Sequence, residues 1–385
     1  MKTIYFDHAA TTPVDPRVLE AMLPYFSERY GNPSELHRLG REGRAAVEEA
    51  RAQVAAAVGA GDKEIVFTAG GTESDNLALF GYLARHQPGH LIVSAVEHPA
   101  IMETARALNR LGWAVDFVPV DAEGVVDLEA YEQAFRDDTR LASIMFANNV
   151  VGTVQPVAEL ARIAHEKGAA FHTDAVQAVG SLPVDVVDLD VDMLSLSGHK
   201  LYGPKGIGAL YVKRGTRLQP ILHGGGHERR LRSGTENVPG IVGLGVAITL
   251  AAERMAEVRP RLESLRDRLA AGVQERIPEV AYLGHPTERL PGNVAFSVRY
   301  VEGESMLLQL DARGFMVSSG SACASGSLEP SHVVLALGLG AEDAHGSMRL
   351  SLGRENTEEE VDAFLEAFPP IVDKLRQMSP LYVKG

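Results

Sequence analysis

The chain has 385 residues, 45% of them hydrophobic and 23% charged, with a formal net charge of -14. That length exceeds the ~250–300 residues at which a single hydrophobic core stops growing, so more than one domain is expected. The acidic balance argues against direct binding of nucleic acid, whose footprint is basic. One cysteine, Cys323, excludes an intrachain disulfide and fits a reducing compartment.

The opening "MKTIYFDHAATTP" has neither the basic start nor the apolar run of a secretory signal, and no apolar run reaches the ~20 residues of a membrane span. A cytoplasmic protein without a membrane partner is expected. Asp15-Pro16 predicts a helix start, with aspartate as cap and proline in the first turn. "EIVFTAG" reads as a strand, and "GGTESDNLALFGYLARH" begins in glycines and continues as a helix. The strand-like runs "HLIVSAV", "AVDFVPV", "LASIMFANN", "AAFHTDAV" and "MLSLSG" are interleaved with helical segments such as "DLEAYEQAFRD" and "VAELARIAHEKG". That alternation predicts an α/β domain with a mainly parallel sheet covered by helices on both faces. "VPGIVGLGVAITLAA" predicts a buried helix. After Arg259 the texture changes to the charged helix "RLESLRDRLAAGVQERI", the strand "NVAFSVRY", a Gly/Ser/Ala loop around Cys323 and a capped acidic helix from "TEEEVDAFLEAF". The expected organisation is a large α/β domain over residues 15–258 and a smaller α+β domain from residues 1–14 plus 259–385. No internal repeat or low-complexity tail is evident.

Three motifs carry chemistry, each with a plainer reading beside it. In "FTAGGTESDN" a strand passes through paired glycines into a helix, so free N–H groups and the Thr72 hydroxyl suit a phosphate, although such turns are common in α/β folds. In "FHTDAVQAVG", Asp174 ends an apolar strand, where a carboxylate needs a cationic partner unless it merely caps a following helix. In "SGHKLYGPKG", Ser197, His199 and Lys200 stand together at another strand end, where a lysine could also simply snorkel to solvent. Together they offer an anion cradle, a counter-charge for a ring nitrogen and an amine for covalent attachment, the needs of pyridoxal 5'-phosphate. Partial burial beside a cation disfavours an ammonium, which would leave the Lys200 amine nucleophilic near neutral pH.

At this point the sequence resembles the cysteine desulfurases of the NifS/IscS type, within the fold-type I, class V aminotransferase-like enzymes. The likeness runs through ordered motifs from "YFDHAATTPVDPRV", "GNPSELHRLG" and "FTAGGTESDNLA", through "EHPA", "FANNVVGTVQP" and "SLSGHKLYGPKGIGALYV", to "GGGHERRLRSGTENV", "SSGSACASGSLEPSHVV" and "SMRLSLGRENTEEEV". The resemblance implies a fold-type I transferase fold, with a seven-stranded type of sheet in the large domain. It implies that Lys200 holds the cofactor and moves the substrate Cα proton, that Asp174 keeps the pyridine nitrogen protonated, and that Gln177 and Asn149 bond the phenolic oxygen or the substrate. His98 would stack on the ring and shuttle protons, although before Pro99 it could simply start a helix. Gly71, Thr72, Ser197 and His199 would hold the phosphate, with Thr235 reaching the site of a neighbouring subunit in a homodimer. Arg349 would take the α-carboxylate of L-cysteine; the plainer readings, a surface arginine or an ion pair to the acidic helix that follows, suit Arg354 better. Cys323, in a loop of small residues expected to be exposed and mobile, would take the sulfur as a persulfide, releasing L-alanine. The sulfur would pass to an acceptor protein for iron–sulfur cluster assembly or for thiolation of tRNA or cofactors. No metal is implied.

The sequence departs from the family pattern at Val150, where an acidic residue is usual and an altered loop or dimer contact is expected, and at Ala69 and Gly71, where a serine and an alanine are common. Ala324 and Gly326 replace the usual residues after Cys323, and the end soon after "LYVKG" leaves the acceptor open. Competing readings are a selenocysteine lyase, an aminotransferase or a cysteine β-lyase on the same fold, and a non-catalytic sulfur-transfer or assembly subunit. Retention of Lys200, Asp174, His98, Gln177, Arg349 and Cys323 together argues against the last.

Overall fold

The structure, a computed structural model, describes residues 3–319 and 330–382. Its largest sheet has seven strands, in the order Ile65–Thr68, Gly208–Val212, Met193–Ser197, Ala170–Asp174, Thr139–Ser143, His90–Ser94 and Ala114–Val118. Gly208–Val212 is antiparallel to both its neighbours and the other pairs are parallel. Six strands therefore run the same way, and the functional motifs leave the sheet from one edge, at the C-terminal ends where open α/β sheets bind ligands.

Near-continuous apolar runs form these strands because both faces are covered. Ile65 and Phe67 enter one hydrophobic cluster while Val66 between them enters the cluster on the other face, and Ile92 is divided in the same way from Leu91 and Val93. Asp15 caps the Pro16–Met22 helix by accepting the Arg17 N–H, as the Asp15-Pro16 pair predicts.

A second, antiparallel sheet has the order Ser318–Ser319, Ser347–Ser351, Asn293–Val298, Val280–Leu283. It packs with the Glu358–Met378 helix in a separate cluster that also takes Ile4 and Phe6 from the start of the chain. The two predicted helices on either side of Arg259 are one helix, Val238–Arg276, with Pro260 inside it. Val238, Ile241, Leu244 and Ile248 pack in the first core, and Leu262, Leu265, Leu269 and Val273 pack in the second. The change of texture near Arg259 thus marks a change of what the helix packs against and not a break in the helix.

Arg354 does not pair with the acidic helix as expected. Its guanidinium lies 2.5 Å from Asp15 and 3.8 Å from the Tyr202 ring centroid, and its backbone N–H donates to the Tyr202 hydroxyl at 2.8 Å, which holds its turn there. Val150 is buried with Val96, Leu283, Val333 and Val334, so an apolar side chain suits a pocket within this chain.

Candidate active site

The motif-bearing segments meet around a cavity of about 330 Å³ whose wall includes Gly71, Thr72, His98, Asn149, Asp174, Gln177, Ser197, His199, Lys200 and Arg349. Of the predicted site residues, Thr235 is exposed and away from this wall, and Cys323 lies outside the described residues.

The phosphate turn is built by backbone geometry. Gly70 has φ of 150°, a conformation essentially restricted to glycine, and it lets the Ile65–Thr68 strand turn straight into the Gly71–Leu83 helix. The helix start then faces the cavity with free N–H groups. A Cβ on Gly71 would stand only 2.7 Å from Val176 Cγ2. His199 closes the other side, its Nδ1 3.1 Å from the Thr11 hydroxyl. Burial, with Lys200 and Lys205 adding to it, lowers the His199 pKa to about 4, so the ring is neutral at physiological pH.

Asp174 is buried at the end of its strand, and its Oδ1 accepts the Val176 N–H at 2.9 Å. The "AVQAVG" segment is a series of turns and not a helix, so this single backbone contact is all that remains of the capping role. Burial pushes the carboxyl up, and the opposing pulls are His98, the Val176 N–H and Lys200. The cation expected opposite Asp174 is thus present in Lys200. Lys200 sits in a short 3-10 turn after Met193–Ser197, and its Nζ donates to the carbonyls of Ala9 at 2.5 Å and Ala10 at 2.7 Å. Gln177 donates to the same Ala9 carbonyl at 3.0 Å, and the Thr12 hydroxyl donates to the His199 carbonyl at 3.0 Å. The "DHAATTP" motif therefore acts as a strap over the lysine turn.

His98 plays both of its sequence readings at once. It caps the Pro99–Arg110 helix, its Nδ1 accepting the Ala100 N–H at 3.1 Å, and its ring lines the cavity. An accepting Nδ1 carries no proton, so the ring's proton is on Nε2. Burial lowers its pKa against the pull of Asp174. Arg349 is buried, donating to Asp7 Oδ1 at 2.7 Å and to the Asn149 carbonyl at 3.0 Å, while its Nε has no hydrogen-bond partner among the described residues.

The segment leading to Thr235 is pinned from below. Glu228 is buried and bidentate to Arg51, at 2.8 and 2.7 Å, and accepts the Phe67 N–H at 2.8 Å. Arg232 pairs at 2.9 Å with Glu73, whose other oxygen accepts the Ala69 N–H at 3.0 Å. Between these ties Glu228, Arg229 and Arg230 all have positive φ, at 42°, 55° and 68°, a costly backbone that the buried pair holds in place.

The model of the family described as aminotransferase class-V matches residues 4–364. The chain belongs to that family. It is 52% identical over 385 residues to the cysteine desulfurase IscS of Methanosarcina thermophila, covering all of this chain and 95% of the relative. It is 50% identical to that of Dictyoglomus turgidum, covering 98% and 97%. Among solved structures, a NifS-like protein matches with a TM-score of 0.91 and 40% identity over 97% of this chain and all of that one. A structure described as SspA in complex with cysteine matches with a TM-score of 0.81 and 38% identity over 92% of this chain and all of the other. The fold is that of the fold-type I enzymes, and the cofactor is pyridoxal 5'-phosphate. The residues present fit that group, with a cradle that a Cβ would fill and a buried acid beside a lysine and a histidine in the same wall.

Three acids at or near the cavity, two of them buried, are absent from the sequence-predicted set. Asp7 holds Arg349, Asp75 lines the cavity, and Glu97 precedes His98. Glu97 Oε1 accepts from the Ser94 hydroxyl at 2.6 Å and the Met145 N–H at 2.8 Å, while Oε2 has no hydrogen-bond partner among the described residues. Burial pushes the Glu97 carboxyl up to about 8. In the unfolded chain it ionises near its ordinary value of ~4.3, so between there and about pH 8 the unfolded state releases a proton that the folded state keeps. Its contribution to stability is complete below that window and is lost as pH rises through it.

Glu97→Gln removes this dependence while keeping an acceptor at Oε1. In cofactor-free protein, the wild-type denaturation midpoint should fall relative to the variant between pH 5 and 8, and parallel profiles would contradict the assignment. Gly71→Ala should weaken folding or cofactor retention by about 1–3 kcal/mol through overpacking. Adding Val176→Ala should recover most of it, measured by denaturation and by retained cofactor absorbance.

Proposed function

We propose that the chain, a pyridoxal phosphate-dependent cysteine desulfurase, takes sulfur from L-cysteine, releases L-alanine and holds the sulfur as a persulfide on Cys323. The observation that carries this reading is the convergence of Lys200, Asp174, His98, Gln177 and Arg349 on one cavity in a chain with this family membership. The chain is divided, in this reading, into a large domain of residues 15–258 and a small one of residues 1–14 plus 259–385. The packing of Ile4 and Phe6 with Leu262, Leu265 and Leu269 supports that division.

When bound, the cofactor supplies an aldehyde for the substrate amine and an electron-withdrawing ring that acidifies the Cα–H. Lys200 would hold it through its amine and would move the substrate Cα proton. Asp174 keeps the ring nitrogen protonated, and Gly71, Thr72, Ser197 and His199 hold the phosphate through backbone and neutral side-chain donors. Gln177 and Asn149 bond the phenolic oxygen or the substrate. His98, with its proton on Nε2, would stack on the ring and shuttle protons. Arg349 meets the substrate carboxylate with its planar fork, and Asp7 holds the far side of that fork.

Cys323, as thiolate, attacks the substrate sulfur. An S–S bond forms and the C–S bond breaks, with its electron pair leaving on carbon, where protons from the site complete L-alanine. Ser318 supports this reach: it lines the cavity and pairs across the small sheet with Arg349. Four residues lie between Ser318 and Cys323, a span of at most roughly 18 Å. Thr235 serves the neighbouring subunit's phosphate site in a homodimer, which its exposure and its distance from this chain's own cavity wall support. The sulfur goes to an acceptor protein of iron–sulfur cluster assembly or of tRNA or cofactor thiolation, in a reducing cytoplasm that suits the lone thiol.

Lys200→Ala should abolish the absorbance of the lysine-bound cofactor together with activity. Cys323→Ala should keep that absorbance but lose transfer of sulfur from L-cysteine to an acceptor thiol by at least 100-fold. A Cys323→Ala enzyme that transfers sulfur at the wild-type rate would overturn the persulfide step.

A further inference from the structure

Asp174 is not alone at the base of the cavity. Asp75 lies in the second turn of the Gly71–Leu83 helix, one helical turn from Gly71 and on the same face, and it is 1% exposed while lining the cavity. Its Oδ1 has no hydrogen-bond partner among the described residues. The nearest base, His172, stands 3.8 Å away and already holds Ser143 at 2.8 Å through Nδ1 and Ser195 at 3.0 Å through Nε2. Burial lowers the His172 pKa to about 3, so this ring brings no positive charge to Asp75.

The two acids differ in their company. Burial pushes both carboxyls up, but Asp174 has His98 and Lys200 pulling it back, while Asp75 meets the added repulsion of Asp174 and Glu97, opposed only by the Ser195 hydroxyl. Two carboxyls in one dry site do not both ionise when a single cationic partner is shared. The charge therefore belongs on Asp174 and the proton on Asp75.

We propose that Asp75 is a positioning residue of the ring-nitrogen site, a carboxylic acid that keeps its proton in the cavity wall it shares with Asp174. The cofactor's ring nitrogen then meets one negative charge and not two, and the buried group of Asp75, Asp174 and the protonated ring is neutral overall. A second carboxylate there would have no counter-ion, and an apolar side chain would leave the Asp174 carboxylate without its polar neighbour. The inference rests on the reading that Asp174 faces the ring nitrogen.

The test uses holoenzymes carrying Asp75→Asn, Asp75→Leu or Asp174→Asn, with the absorption maximum of the bound cofactor and its rate of release as readouts and the thermal midpoint as a control. Asp75→Asn, which keeps a neutral donor, should leave the maximum in place and release within about twofold of wild type. Asp75→Leu should shift the maximum and release cofactor at least tenfold faster. An Asn variant as impaired as Asp174→Asn would mean that Asp75 acts as an anion and would overturn the proposal, even if the Leu variant does not fold. A Leu variant with wild-type spectrum and release, whatever its thermal midpoint, would reduce Asp75 to a core residue and overturn it equally. Wild-type behaviour of Asp174→Asn would instead remove the ring-nitrogen reading on which the inference rests.

Discussion

A carboxylate buried at the end of a strand is the constraint around which this site is arranged. Asp174 loses its hydration in a wall that admits almost no solvent, and a buried charge is tolerated only where opposite charge and hydrogen bonds replace water. Lys200 supplies the charge, His98 a polar ring in the same wall, and the Val176 N–H a bond. Each of these has its own support: Lys200 needs the Ala9 and Ala10 carbonyls, and His98 is fixed by the helix it caps. The six co-directional strands make this possible, because they bring residues distant in sequence to the same edge of one sheet.

The second sheet completes the cavity from the other side. Arg349 comes from its Ser347–Ser351 strand, and Asp7, which holds it, comes from the segment that goes on to strap Lys200. The same strand is paired with Ser318, the last cavity-lining residue before the stretch that contains Cys323. The groups proposed to bind the substrate carboxylate and to remove its sulfur thus originate side by side. The Val238–Arg276 helix runs through both cores and joins the two halves of the site through its packing.

Much of this was legible in the sequence because the chemistry is carried by short motifs at strand ends. The paired glycines, Asp174 and Lys200 each stand where apolar periodicity stops, so burial made their polarity conspicuous. The ambiguous cases were ambiguous for a physical reason, as His98 shows: a histidine before a proline is a helix cap, and here the cap also fixes the tautomer presented to the cavity. Asp75 and Glu97 were not legible. An acid in the second turn of a helix, or one between a valine and a histidine, looks solvated until the opposite wall is known. Gly71 and Asp75, four residues apart on one helix face, offered the only hint. The long helix was misread at Arg259 because charge and a proline resemble a terminus when the second core is out of view.

The central claim is that this cavity separates sulfur from the carbon skeleton of L-cysteine without eliminating the amino group. The most direct measurement counts alanine, sulfide and pyruvate from purified protein supplied with pyridoxal 5'-phosphate, L-cysteine and a thiol reductant. Alanine and sulfide in equal amounts with no pyruvate is the predicted result. Pyruvate accompanying sulfide would mean β-elimination, and would contradict both the sulfur attack assigned to Cys323 and the function built on it.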